Sequence, residues 1–108
     1  MSDADIQHEF GSIAEINRLI HEPSRLAVMA LLYVIERADF TFLMNQTGLS
    51  WGNISVHLSK LEEAGYVHAE KKFKNKRPNT TLWLTPAGRD AFRRYAKSMR
   101  HIFTNLPE

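Results

Sequence analysis

The chain has 108 residues, 44% of them hydrophobic and 24% charged, with no cysteine and a formal net charge of +2. This is one domain's worth of sequence, and a single copy buries only about two thirds of its unfolded surface, so a second copy would help to stabilise it. A chain without thiols has neither a disulfide framework nor a thiolate metal centre. The start, "MSDADIQHEF", lacks the basic residues and apolar run of a secretory signal, and no later stretch approaches a membrane span, so a soluble, cytoplasmic protein with no membrane partner is expected.

In chain order, "IQHEFGSIAEINRLI" places Ile6, Phe10, Ile13 and Ile20 in a 4-3-4-3 spacing in which Asn17 fills the gap, which predicts a helix with one apolar seam. Pro23 then stands where a first helical turn tolerates a missing N–H. "SRLAVMALLYVIER" follows, apolar enough to be the central buried helix. In "ADFTFLMNQTGLS" we expect a few extended residues at 40–42, a cap at Thr41 and a two-turn helix from Phe42 to Thr47. Gly48 should end that helix, because glycine adopts positive φ without a Cβ clash, and Ser50 is placed to cap the next one.

That next helix, Trp51 to about Ala64, puts Ile54, Leu58 and Leu61 on one side, with Trp51 flanking them. The other side carries Gly52, Val56, Ser59 and Glu63, with Asn53, Ser55 and Lys60 on the shoulders, and so holds almost no charge before Lys60. Surface helices ordinarily cover their wet side with Lys and Glu. A helix laid in the major groove of DNA instead needs small residues for close approach, short polar groups for base edges and an apolar atom for a thymine methyl, and Gly52, Asn53, Ser55, Val56 and Ser59 supply them. Ser50 and the first free N–H groups can hold a phosphate, and Lys60 can reach the backbone. A contact with another protein element is the competing use of such a face.

After Gly65 the pattern becomes extended: "YVHAEKKF", then "KNKRPN", then "TTLWL", a hairpin whose turn is expected around Asn75, Pro78 and Asn79. Lys71, Lys72, Lys74, Lys76 and Arg77 place five positive charges within seven residues, opposed only by Glu70 just outside. Over the chain as a whole, residues 1–39 carry seven acidic and three basic side chains, a balance of −4 that leaves +6 for the remainder. This asymmetry points to a polyanion partner for the second half, or to a merely solvated basic surface. Thr85 and Pro86 start the last helix, where Phe92, Tyr95, Met99, Ile102 and Leu106 form a narrow 3-4 seam that seeks another helix, from a second copy or from its own domain. The five histidines show neither an i, i+4 pair nor an HExxH pattern. With no Gly-rich phosphate loop or nucleophile elbow either, neither a cofactor nor an enzyme is expected.

The run "TFLMNQTGLSWGNISVHLSKLEEAGYV", with "LWLTPAGRDAF" closing the hairpin, resembles the recognition helix and wing of the MarR-type and ArsR-type transcriptional regulators, and most closely their short single-domain members. The resemblance covers roughly residues 23–103. It implies a mainly α fold with a small β-hairpin wing, a winged helix-turn-helix in the order α-α-α-α-β-β-α. Residues 1–108 would be a single domain, with the helix-turn-helix at 40–64, the wing at 66–84 and dimerising helices at 1–21 and 86–106. It further implies a homodimer on double-stranded DNA, touched by Ser50, Trp51, Gly52, Asn53, Ser55, Val56, Ser59, Lys60, Lys74, Asn75, Lys76 and Arg77. The dimer seam is expected to join Ile6, Phe10 and Ile13 to the 3-4 set of the last helix, and repression is the default for a chain with no separate activation domain. The cysteine ligands of the metal-sensing ArsR-type branch are missing. An unknown small-molecule effector could use Tyr33, Trp83 or Tyr95 as pocket aromatics, although aromatics of this kind more often belong to the core. A winged-helix module serving protein assembly without DNA is the rival reading.

Overall fold

The computed structural model describes residues 16–104, 106 and 107. Four helices and three strands follow one another among them: α1 (Pro23–Ile35), β1 (Arg37–Asp39), α2 (Phe40–Thr47), α3 (Trp51–Glu63), β2 (Val67–Lys74), β3 (Arg77–Leu84) and α4 (Pro86–Thr104). The strands form one antiparallel sheet in the order β1-β3-β2. Its inner face, Val67, Leu82 and Leu84, closes on Val28, Met29 and Leu32 of α1, Leu43 of α2, Ile54, Leu58 and Leu61 of α3, and Ala91 and Tyr95 of α4. None of the described helices is long and apolar enough to cross a membrane.

Each helix boundary has a local cause. Glu22 caps α1 by accepting from the Ser24 and Arg25 N–H groups at 3.1 and 2.8 Å, just ahead of Pro23. Asp39 caps α2 through the Phe42 N–H at 2.8 Å, and Gly48 ends it in the left-handed region at φ 72°. Ser50 Oγ accepts from the Asn53 N–H at 3.2 Å and opens α3. The far end of α3 closes in a Schellman turn, with Gly65 N–H on Glu62 O and Tyr66 N–H on Leu61 O, both at 2.9 Å, around Gly65 at φ 80°.

The structure corrects four local expectations. The seam through Asn17 does not continue as a helix over 16–22, because Asn17 Oδ1 accepts from the Leu19 and Ile20 N–H groups and holds a turn instead. Ile6, Phe10 and Ile13 lie outside the described residues. The extended residues fall at Arg37–Asp39, ahead of the expected 40–42, and pair with Thr81–Trp83 as a third strand; Asp39, not Thr41, is the cap. The hairpin keeps its expected extent, but its strands run further toward the tip and it turns on Asn75 and Lys76 alone, both at positive φ (53° and 64°), the signature of a two-residue type I′ turn. Pro78 therefore sits inside β3, opposite Phe73. With Lys74 and Arg77 as the bonded closing pair, the next pair back is a non-bonded one. β1 covers only Thr81–Trp83, so the missing proline N–H costs the sheet no ladder bond.

One junction ties these parts together. Thr85 donates its backbone N–H to Tyr66 O at 3.0 Å and its hydroxyl to Gly65 O, while Thr85 Oγ1 accepts from the Gly88 N–H at 3.0 Å and caps α4. Gly88 lies so close to Tyr66 that a Cβ there would stand 2.1 Å from the Tyr66 carbonyl oxygen. That obstacle is backbone and cannot rotate away. Gly88→Ala should accordingly lower stability by about 2–3 kcal/mol, the upper range for forced overpacking, whereas Ala87→Gly, one residue earlier on the exposed side, should cost at most about 1 kcal/mol; chemical denaturation of both variants checks the difference.

Candidate nucleic-acid interface

The wet face of α3 is bare. Gly52, Asn53, Val56, Ser59 and Lys60 are exposed, Ser55 is half-buried on the shoulder, and Ser50 is exposed at the helix start. Val56 keeps 53% of its surface in water, a sizeable apolar exposure on a helix that buries Ile54, Leu58 and Leu61 completely or nearly so. A Cβ added to Gly52 would meet nothing within 4 Å. Nothing within the described fold therefore requires glycine there, although glycine in a helix costs about 0.5–1 kcal/mol relative to alanine. Trp51 does not tuck into the core. It is 64% exposed and stacks on Phe40 with ring centroids 6.2 Å apart, a rigid aromatic step at the N-terminal edge of the face.

The inner side of α3 is braced to α1 by polar groups as well as by packing. Arg25, whose side chain is only 12% exposed, donates to Leu19 O at 2.5 Å and to His57 Nδ1 at 3.2 Å, and Glu22 Oε2 lies 3.6 Å from that same nitrogen. A guanidinium can only donate, so Nδ1 is the acceptor in this bond and the ring proton belongs on Nε2. Burial works to raise the Glu22 carboxyl. The N–H bonds from Arg25 and Ser24, with the guanidinium charge of Arg25, outweigh it and hold the group below the ordinary carboxylate range. His57 thus orients the helix from behind and takes no place on the open face.

The wing carries the charge. Lys71, Lys72, Lys74, Lys76 and Arg77 are all exposed, as is Asn75 in the turn. Lys72 is engaged by Glu70 at 2.6 Å, and that bond is the main reason the Glu70 carboxyl is held below its usual range, against some desolvation and with help from Arg37 and His68. On the outer face of the sheet, Arg37 lies 4.2 Å over the Trp83 ring and His68 packs against it at 4.7 Å. The wing follows α3 directly through the Gly65 turn, which joins the C-terminal end of α3 to the base of the hairpin.

The terminal helix departs from its expected seam. Tyr95 is only 5% exposed and shares a 2.7 Å hydrogen bond with His21 Nδ1, so it faces its own domain; its hydroxyl is pushed up in pKa by burial. Phe92 is half-buried on Tyr33 with ring centroids 5.1 Å apart. Met99 and Ile102 are half-buried and Leu106 is 51% exposed; Phe103, outside the expected 3-4 spacing, is 61% exposed. The aromatics offered for an effector pocket are engaged separately. Tyr33 lies under Arg89 and bonds Arg93 Nε at 2.9 Å, Trp83 is held by Arg37 and His68, and Tyr95 by His21. A further residue escaped the sequence reading altogether: Phe73 in the wing is 79% exposed, and its only signal was an isolated aromatic in "KKFKNK".

A three-stranded wing behind a capped helix-turn-helix defines a winged-helix protein. The family model for the winged helix DNA-binding domain matches residues 24–103, and the chain belongs to that family. An uncharacterised protein of Methanocaldococcus jannaschii is 33% identical over 89 residues, covering 82% of this chain and 97% of that protein. Among solved structures, the transcriptional regulator homologue of Pyrococcus horikoshii superposes with a TM-score of 0.80 at 24% identity, over 97% of this chain and 99% of that one. A MarR-family transcriptional regulator of Streptomyces coelicolor, solved in complex with DNA, shares the fold at a TM-score of 0.51 and 22% identity, over 97% of this chain and 66% of that one.

A substitution at Gly52 tests whether folding and DNA binding make opposite demands on this position. Gly52→Ala should raise stability by about 0.5 kcal/mol through helix propensity, yet weaken DNA binding by about 1–3 kcal/mol, the size of one lost base-edge contact. Paired thermal melts and fluorescence-anisotropy titrations check both signs.

Proposed function

We propose that the protein is a sequence-specific, double-stranded DNA-binding transcriptional regulator that acts as a homodimer and represses by occupying its site. The observation that carries this reading is the open, small-residue face of α3, with Gly52 required by no contact among the described residues, together with a hairpin of four cations that have no acidic partner at salt-bridge distance among the described residues: Lys71, Lys74, Lys76 and Arg77. In this reading α3 enters the major groove with Asn53, Ser55, Val56 and Ser59 at base edges, Trp51 and Gly52 at the groove wall, and Ser50 and Lys60 on phosphates. Lys74, Asn75, Lys76 and Arg77 follow the flanking backbone and supply affinity that falls steeply with salt.

The titration that tests it uses duplexes recovered from a random-sequence selection. Asn53→Ala should lose about 1–3 kcal/mol on the selected site and little on unrelated DNA, whereas Lys76→Gln should weaken all sequences alike and reduce the logarithmic salt slope by about 0.9. Wild-type protein that binds no duplex at low salt would refute the reading, and equal losses from both changes on every DNA would refute the division of labour.

Dimerisation is assigned to the end of α4, where Phe103 and Leu106 are exposed beside half-buried Met99 and Ile102, together with Ile6, Phe10 and Ile13 of the N-terminal segment. A twofold axis there would present two copies of α3 to half-sites about 34 Å apart. Sedimentation at micromolar concentration should show a dimer that the double change Phe103→Glu, Leu106→Glu converts to monomer. A wild-type chain that sediments as a monomer contradicts this.

A further inference from the structure

The wing is more than a set of charges, because its most exposed apolar side chain has a fixed place in the register. Directly opposed side chains of an antiparallel pair share a face. Val67, Ala69, Lys71 and Phe73 of β2 therefore lie on the same side as Leu84, Leu82, Thr80 and Pro78 of β3. Toward the base of the hairpin this side is core, with Val67, Leu82 and Leu84 at 2%, 1% and 5% exposure. Toward the tip it emerges into solvent, where Phe73, 79% exposed, stands opposite exposed Pro78. Two apolar side chains thus face each other on the helix-side surface of the wing, with no described residue covering them.

We propose that Phe73, backed by Pro78, is an apolar contact of the wing with the deoxyribose wall of the DNA minor groove beside the site read by α3. The inference rests on the DNA-binding reading above and deepens it. Its occupant follows from charge and shape. Lys71 shares the face of Phe73, while Lys72, Lys74 and Arg77 alternate to the other face of the hairpin with Lys76 in the turn, and the nearby carboxylate of Glu70 is held by Lys72. An aromatic on one face of a hairpin that is otherwise cationic matches a surface that is apolar in the middle and anionic at its borders, which describes the sugar C–H edges between two rows of phosphates. An apolar protein patch would not call for the cations, and an acidic peptide would not call for the ring.

The turn sets the depth of contact. A two-residue tip on strands about 4.8 Å apart can enter a groove about 6 Å wide only with Asn75 and Lys76, whose backbone points the way at φ 53° and 64°. Phe73, one pair behind the closing pair Lys74 and Arg77, then meets the groove rim and not the base stack. The contact adds affinity without adding charge, so its signature differs from that of every lysine in the wing.

The experiment compares wild type, Phe73→Ala, Phe73→Leu and Lys76→Gln on two selected duplexes, one with flanks long enough for the wing and one cut back to the segment facing α3, over a series of salt concentrations. Phe73→Ala should bind the long duplex about 5- to 10-fold more weakly, as expected when about half a phenyl ring no longer leaves water on binding. Its salt slope should match that of wild type, Phe73→Leu should fall between the two, and the short duplex should erase the difference. Because the ring makes almost no intramolecular burial, the melting temperature of Phe73→Ala should equal that of wild type. If Phe73→Ala binds the long duplex like wild type while Lys76→Gln still weakens binding, the apolar contact is wrong and the DNA-binding reading stands. A loss of equal size on the short duplex, or a changed sedimentation coefficient with unchanged DNA affinity, overturns it too, the latter because the face would then belong to a protein contact. Wild type that binds neither duplex at low salt defeats the underlying reading and the inference with it.

Discussion

The close approach of Gly88 to the backbone of Tyr66 is the contact on which the placement of the remaining elements depends. Within a few residues it joins the Schellman turn that ends α3, the first residues of β2 and the capped start of α4, with Thr85 donating to Gly65 and Tyr66 and accepting from Gly88. The orientation of α3, the exit angle of the wing and the direction of the terminal helix are therefore set at one place. A side chain at position 88 would have to displace a carbonyl that is already hydrogen-bonded, and a chain that moved there would carry α3 and the wing apart.

With the corner fixed, the remaining freedom of α3 is rotation about its own axis, and two interactions remove it. Ile54, Leu58 and Leu61 hold the inner side in the core, while Arg25 and Glu22, at the capped start of α1, hold His57 from the shoulder. Such bracing keeps the outer side free of structural duties. Side chains that touch nothing in their own fold can be chosen for another surface, and on α3 they are small, polar or lightly apolar. The wing follows the same principle: its base belongs to the core, and its tip, past Lys71 and Thr80, has been released from it.

Much of this was legible in the sequence because it is written in local chemistry. Gly48, Ser50 and Gly65 announced the helix-turn-helix through φ preference and capping, and the period of Ile54, Leu58 and Leu61 announced which side of α3 goes inward. Features set by long-range pairing were not legible. Three residues, Arg37–Asp39, are too few for a strand pattern and become one only because Thr81–Trp83 offers an edge. Pro78 reads as a turn residue, yet its register makes it a strand residue whose missing N–H is harmless. Tyr95 fits a 3-4 seam by spacing, but His21, 74 residues away in the chain, draws it inward. Asn17 looked like a polar gap in a helix and is a turn former. Among the proposed contact residues, those on α3 could be named from its period, while Phe73 stood out only from its register opposite Pro78 and its exposure in the fold.

The central claim is that one contiguous surface, the outer side of α3 and the tip of the wing, is what meets DNA. An amide NMR titration of isotopically labelled protein with a selected duplex tests it most directly, residue by residue. The account predicts that the large shifts at low salt gather on Ser50–Lys60 and Lys72–Pro78, with the amides of α1 and the base of the sheet nearly unmoved. Shifts concentrated instead on the outer face of the sheet around Trp83, or on α4 alone, would contradict it.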